Sequence, residues 1–143
     1  MLRLTRAEVA WAAVGNSVGA YEAAVKYGSE RVQFGKPIAS FQGMQFQLAQ
    51  MAIDVETAKL MVYNAARLKD AGKDFVKEAA MAKMSATESA QMVIDATVQM
   101  FGGLGVMRGN IAEKLYREIR ALRIYEGATE VQKLIIARAV LAA

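Results

Sequence analysis

The sequence predicts an all-α fold, an antiparallel up-and-down four-helix bundle of long helices. Three observations predict it. Apolar residues recur at three- and four-residue spacings through most of the 143 residues. No run of alternating β-branched residues bounded by Asn-Gly or Asp-Gly is present, so the pattern is helical nearly throughout. A seam of apolar residues from Phe41 to Ala65 is long enough to call for equally long neighbours, as in a helical bundle. Hydrophobic residues make up 55% of the chain, above the ~45–50% typical of soluble domains, which points to apolar surface shared with partners as well as with an internal core.

The elements follow in order. A first helix is expected over 6–29, with Thr5 and Glu8 spaced as a capping box and Trp11, Val14, Val18, Tyr21 and Val25 on one face. Gly15 and Gly19 share a face inside it, which suits close approach of a neighbouring helix or of a ligand. Gly35 and Pro37 break the chain over 31–38. A second helix, 40–71, ends at Gly72. Its seam of Phe41, Met44, Leu48, Met51, Val55, Ala58, Val62 and Ala65 runs about 40 Å at ~1.5 Å per residue.

A third helix, 74–101, is rich in Ala, Met and Ser and carries a polar stripe of Gln91, Asp95 and Gln99. After a Gly-rich loop, 102–109, Asn110 with Glu113 marks the start of a short helix to about residue 119. Arg117, Arg120 and Arg123 lead into an apolar turn, 122–127. Thr129 with Gln132 has the spacing of a capping box for a last helix carrying Val131, Leu134, Ile135 and Leu141. No repeat or linker divides the chain, so one domain spans 1–143.

Composition excludes several chemistries. Without Cys or His, the chain supplies no disulfide, thiolate nucleophile, Cys/His metal site or Ser–His pair; no metal ligands are expected. The net charge of +4 permits an anionic ligand but does not demand nucleic acid, and the three arginines lack a flanking basic cluster. No apolar run approaches a membrane span, and the opening residues 1–6 are too short an apolar stretch for a secretory leader. A cytoplasmic setting fits the absence of Cys. The nine Met residues read as core filler.

Proton chemistry near neutral pH must then fall to a carboxylate, Lys or Tyr. Most of the 14 carboxylates lie among polar helix neighbours or at helix starts. Glu126 differs: it follows Leu122, Arg123, Ile124 and Tyr125 and precedes Gly127, in a bend between helices. An apolar bend favours the neutral form of a carboxyl, as a general base needs. The alternative is a turn carboxylate paired with Arg120 or Arg123. The bend is expected to face a cleft within reach of the Gly-rich corner. That loop reads either as an anion cradle or as a helix C-cap, and Arg31 beside Phe34 either as a phosphate-and-base site or as a surface loop.

Taken together, three segments resemble the acyl-CoA dehydrogenase family. Arg31-Val32-Gln33-Phe34-Gly35-Lys36-Pro37-Ile38 with Phe41-Gln42 is similar to its RxxFGKPI…xQ motif. Gln99-Met100-Phe101-Gly102-Gly103-Leu104-Gly105 is similar to QxFGGxG, and Ile124-Tyr125-Glu126-Gly127-Ala128-Thr129-Glu130-Val131-Gln132 to IYEGTxxxQ, followed by Ile136-Ala137-Arg138. The resemblance covers essentially the whole chain, in the family's order and spacing. It matches the C-terminal helical bundle alone, with the family's N-terminal helical and middle β-domains absent.

The resemblance implies an FAD-dependent oxidoreductase of fatty acid metabolism that dehydrogenates an acyl-CoA thioester at its α,β bond. Glu126 matches the catalytic base, which removes the α-proton while the β-hydrogen leaves as hydride to the flavin. Tyr125 and Gly127 match positions at the substrate. Thr5 stands where some members carry the base instead, and Arg6 matches an arginine beside the site. Arg31, Phe34 and Gln42 match positions reaching the adenosine half of FAD bound by a neighbouring subunit; Gln99, Gly102 and Gly103 match further nucleotide contacts. Ala128 stands where Thr often contacts the flavin nucleotide, with Glu130 nearby, and Leu104 replaces a frequent polar residue.

The implied partners are the acyl-CoA, the missing domains, further copies in a dimer or tetramer, and an electron-transfer-flavoprotein-like acceptor. A mitochondrial matrix setting is implied for a eukaryotic source. The bundle alone is expected to be inactive. A non-catalytic oligomerisation module and an acyl-CoA oxidase are the alternative readings.

Overall fold

Apolar periodicity builds three long helices and two shorter ones in the structure, a computed structural model that describes residues 2–142, with side chains from residue 4 onward. The reading of the opening residues therefore falls partly outside the described residues. The order is α1 (Leu2–Glu30), β1 (Val32–Gln33), β2 (Lys36–Pro37), α2 (Gln42–Asp70), α3 (Val76–Phe101), α4 (Ile111–Leu122) and α5 (Thr129–Leu141). Short 3-10 turns occupy Ile38–Ser40 and Gly102–Val106. α1, α2 and α3 pack on one another, α4 lies against α1 and α3, and α5 packs on α3. The expected bundle is present, but its fourth position is filled by the 12-residue α4, with the 13-residue α5 added on α3.

The α2 seam behaves as expected: Met51, Val55, Ala58, Val62 and Ala65 are buried. α1 does not. Trp11 and Val25 are exposed, and the core face is instead Val9, Ala10, Ala13, Val14, Ser17, Ala20 and Ala24. α3 answers with Ala79, Ala82, Ala86 and Ala90, each fully buried. Alanine stripes let the two helices approach until the Thr97 hydroxyl, which donates to Val93 O at 2.8 Å, also lies 3.2 Å from Ala20 O on α1. Large apolar residues mark a helical face in sequence, but the tightest contact is made by small ones. Trp11 packs edge-on to Tyr63 on the surface, with ring centroids 4.9 Å apart. Of the paired glycines, Gly19 lies under Leu115 of α4, whereas a side chain at Gly15 would meet open space.

Helix ends also differ from expectation. Asn110 caps α4, its side chain accepting from Ala112 N at 2.9 Å, and α4 continues to Leu122 rather than stopping near 119. Thr5 lies inside α1, not at its cap. The N-cap of α5 is Ala128, and the Thr129 and Gln132 side chains point to other partners. The break at 31–38 forms a miniature antiparallel hairpin, with Val32 opposite Pro37 and Gln33 opposite Lys36. Its turn residues, Phe34 (φ 52°) and Gly35 (φ 79°), both have positive φ, as a two-residue hairpin of right-handed twist requires. Two-residue strands carry no periodicity to read, and Phe-Gly is not a usual turn pair.

Candidate functional site

Past Leu122 the chain leaves α4 and makes a six-residue bend, 123–128, before α5. Glu126 sits in it at φ 56° and Gly127 at φ 94°. Among the described residues, Glu126 and Phe34 are the non-glycine positions with positive φ, and each precedes a glycine that shares it. Such a backbone costs of order 1–3 kcal/mol per residue and persists only when its surroundings hold it.

The surroundings of Glu126 do so. Thr5 Oγ1 donates to Glu126 Oε2 at 2.5 Å, joining the bend to the start of α1. Gly127 O accepts from Lys83 Nζ at 2.9 Å and from Gln132 Nε2 at 2.7 Å; the same amide lies 3.3 Å from Glu126 O. Lys83 and Gln132 are both fully buried. A Cβ on Gly127 would lie 2.5 Å from Gln132 Nε2, so this glycine is needed for space as well as for its φ.

One turn further along α3, Glu88 holds both ends of the bend. Arg123 Nη2 meets Glu88 Oε2 at 2.6 Å, and Thr129 Oγ1 donates to Glu88 Oε1 at 2.6 Å.

The charges follow this wiring. Burial pushes Lys83 below the ordinary lysine value; the Glu88 carboxylate opposes that, the nearby Arg6 charge adds to it, and Glu126 opposes it. Burial would raise Glu88, but the hydrogen bonds from Thr129 and Arg123, with the Arg123 and Lys133 charges, outweigh it and hold the carboxyl below its usual value. Arg6 is half-buried, and its Nε, like Gln132 Oε1, is buried without a hydrogen-bond partner.

Glu126 itself is half-buried beside Thr5, not turned out into bulk water. Arg123 pairs with Glu88 and Arg120 is exposed, so the pairing of Glu126 with either arginine is not formed. Tyr125 is 47% exposed beside it; Ala128 is half-buried, and Glu130 is exposed in the first turn of α5.

The other candidate residues lie at the opposite end. Arg31, Phe34, Gln42, Gln99, Gly102 and Gly103 are all exposed. Of these, Phe34 and Gln99 line an open cleft of about 360 Å³ between the hairpin, the start of α2 and the end of α3, together with Phe41 and Met44 among others. Phe34 is 93% exposed, its ring edge-on to Phe41 at 6.3 Å, and Lys36 Nζ lies 4.3 Å from the Phe41 ring centre. The Gly-rich loop is a helix C-cap: Gly102, at φ 59°, closes α3 by donating to Gln99 O. Gly105 tucks against α3, where a Cβ would lie 2.4 Å from Val98 O. Tyr27 stacks on Phe101 at 4.2 Å, tying this corner to the far end of α1.

The expected proximity of Glu126 to the Gly-rich corner is therefore not found. Lys83, beneath the bend, and Phe101, beside the corner, are separated by roughly 27 Å of helix axis at ~1.5 Å per residue. Thr5, Arg6, Tyr125, Glu126, Gly127, Ala128 and Glu130 form one group, and the remaining candidates form a second.

Lys83 and Glu88 escaped the sequence reading, and Gln132 entered it only as a capping-box partner and a motif position. The signal for Lys83 was a lone cation in the alanine stripe of Ala79, Ala82, Ala86 and Ala90, a position that ordinarily takes an apolar residue. Among the described residues, no acidic cluster could hold a metal ion, and no helix is long and apolar enough to cross a membrane.

Comparison with known proteins adds the family. The model for the acyl-CoA dehydrogenase C-terminal domain matches residues 1–141. The chain is 46% identical to acryloyl-CoA reductase (NADH) of Anaerotignum propionicum over 129 residues, 90% of this chain and 33% of that protein. It is 43% identical to the human mitochondrial short-chain specific acyl-CoA dehydrogenase over 136 residues, 95% of this chain and 33% of that protein. The butyryl-CoA dehydrogenase structure from Megasphaera elsdenii superimposes with a TM-score of 0.95 at 40% identity, covering 98% of this chain and 37% of that one. The chain thus spans about a third of the length of these relatives. Every segment that carried the resemblance lies within the matched range, and the fold agrees along nearly its whole length: the chain belongs to the acyl-CoA dehydrogenase C-terminal domain family.

Proposed function

We propose that the chain is the base-carrying third of an FAD-dependent enzyme that interconverts an acyl-CoA and its α,β-unsaturated partner, with Glu126 handling the α-proton. The observation that carries this reading is Glu126 itself: a carboxylate in a left-handed bend, clamped by a buried lysine and glutamine and aimed at Thr5. Strain at a non-glycine residue that neighbours hold in place is a mark of function.

A thioester α-proton is too weakly acidic for a carboxylate in water. Glu126 removes it when the carbonyl is polarised by a donated hydrogen bond, the Glu126 backbone N–H being the group suited to this, and when water is excluded from the bend. Tyr125, with exposed ring area beside the base, suits packing against the acyl chain. Bound FAD would supply the acceptor for the β-hydride. The residues fit such a group: an exposed Phe34 ring beside the Gln99 amide suits an adenine face, the exposed Arg31 a phosphate, and the orphaned Arg6 Nε a polar atom brought to the Glu126 end. The distance between the two groups supports the reading that Arg31, Phe34, Gln42, Gln99, Gly102 and Gly103 serve the cofactor of a neighbouring copy, while Ala128 and Glu130 stand near the chain's own.

The similar proteins include reductases as well as dehydrogenases. By microscopic reversibility the same carboxyl that removes the α-proton returns it, so the role of Glu126 holds in either direction. A solved structure concerning the electron transferring flavoprotein of Acidaminococcus fermentans matches with a TM-score of 0.98, and a caffeyl-CoA reductase–Etf complex subunit is 44% identical. Both support an electron-transfer flavoprotein as redox partner. Exposed Phe46, Ile53, Leu60 and Tyr63 along α2 support further domains or copies as neighbours, consistent with a dimer or tetramer. A cytoplasmic setting, or the matrix in a eukaryote, suits these partners.

The test is Glu126→Gln in the full-length enzyme carrying this domain, mixed anaerobically with acyl-CoA. Flavin bleaching is expected to slow by ~10²–10⁴-fold; bleaching at the parental rate overturns the reading. Oxygen uptake without an added acceptor would identify an oxidase. A full-length protein that neither binds FAD nor turns yellow would identify a purely structural module.

A further inference from the structure

We infer that Lys83 is a positioning residue for this reaction: its buried ammonium grips the Gly127 carbonyl and so holds the Glu126–Gly127 turn in the arrangement that presents the carboxylate beside Thr5. The inference rests on the assignment of Glu126 as base and deepens it.

Geometry and cost carry it together. Lys83 sits fully buried on α3 in the register of Ala79, Ala82, Ala86 and Ala90. A charged group there loses its water, and an apolar side chain would be cheaper for the fold. The packing of α1 on α3 does not call for it, because that contact is made by alanines and by the Thr97 hydroxyl. What the ammonium reaches instead is a main-chain oxygen in the bend, at 2.9 Å. That oxygen is the carbonyl of Gly127, in the peptide that leads into Ala128, directly after the two residues of positive φ. A charge-assisted bond there anchors the Gly127 end of the turn, and through the one intervening peptide it restrains the backbone from which the Glu126 side chain leaves. Gln132, on the other side of the same oxygen, cannot do this alone: it rides on α5, the element that the bend leads into, whereas Lys83 anchors the bend to the central helix.

An apolar isostere at 83 therefore separates the two roles that a buried lysine can have. If Lys83 were a stabiliser of the scaffold, Lys83→Met would lower the unfolding midpoint. If it positions the base, Lys83→Met leaves the midpoint unchanged or raises it, while the turn loosens and the chemistry slows. In the full-length enzyme carrying this domain, flavin reduction by acyl-CoA is expected to fall roughly 10- to 100-fold, with acyl-CoA binding and FAD content unchanged. Amide exchange over 125–128 is expected to quicken at least about tenfold, with α1, α2 and α3 protected as before. Lys83→Gln, a shorter neutral donor, should recover part of both effects, and it decides the matter should the methionine variant not fold.

Parental flavin reduction in these variants, or parental exchange in the turn, overturns the inference. Glu126→Gln, run in parallel, separates this failure from that of the base assignment: parental activity in Glu126→Gln removes the base, whereas an inactive Glu126→Gln beside a fully active Lys83→Met removes the role of Lys83 alone.

Discussion

The two ends of the bundle use the same backbone device and support it in opposite ways. At each, a bulky or charged residue with positive φ is followed by a glycine with positive φ: Phe34-Gly35 at one end, Glu126-Gly127 at the other. Around Glu126 the strain is answered by side chains from three elements: Thr5 of α1, Lys83 of α3 and Gln132 of α5. Around Phe34 it is answered by a two-residue ladder and an edge-on contact with Phe41, and the ring itself is 93% exposed. On the proposed function, the end that holds the reacting atom is preorganised from within the chain. A site that offers a ring to something outside stays open until that something arrives.

This contrast can be broken or sharpened by substitution. The largest effect is expected from Gly127→Ala, because the new methyl collides with the buried Gln132 amide at 2.5 Å and the φ of 94° strains it further. A loss of about 2–3 kcal/mol in urea unfolding is expected. Gly35→Ala, where nothing lies within 4 Å, should cost only the backbone term, about 1 kcal/mol. Equal losses at the two glycines would erase the distinction between a supported and an unsupported turn.

Gln132→Leu comes next. It takes the amide from Gly127 O and Glu126 O but leaves Gly127 O its bond to Lys83, so the loss is expected to stay at about 1–2 kcal/mol.

Acid tests the outer clasp. The folded chain holds Glu88 below its ordinary value, so the native state binds its proton less readily than the unfolded chain. The stabilisation is present above the unfolded pKa of ~4.3 and is lost as pH falls through the lower folded value. Because both partners are about a third exposed, Glu88→Gln should cost no more than about 1 kcal/mol at pH 7 and should flatten the acid limb of a pH–stability curve. The smallest stability effect is expected at Phe34→Ala, within about 0.5 kcal/mol. Its signature should lie elsewhere, in loss of FAD from the full-length enzyme during gel filtration.

The legible parts were those in which one side chain answers one local rule. The α2 seam was readable because its apolar positions alternate threes and fours without interruption, and Asn110 because its cap depends on a neighbour two residues away. Glu126 stood out as a carboxylate in an apolar bend, and the IYEG resemblance assigned it a role. The α1 core was misread because alanine carries little weight in a periodicity search, yet it makes the closest contact. Thr5-Glu8 and Thr129-Gln132 have capping-box spacing, but tertiary partners claimed Thr5, Thr129 and Gln132: Glu126, Glu88 and Gly127 lie 121, 41 and 5 residues away. Lys83 acts across 44 residues, a distance at which no local pattern speaks.

The atom that Lys83 and Gln132 hold is a main-chain oxygen, common to every residue type. The mount is therefore indifferent to its cargo: the side chain carried at 126 can change while the bracket beneath it keeps its shape. Chemistry at this corner can be rewritten, or silenced, without rebuilding the frame that aims it.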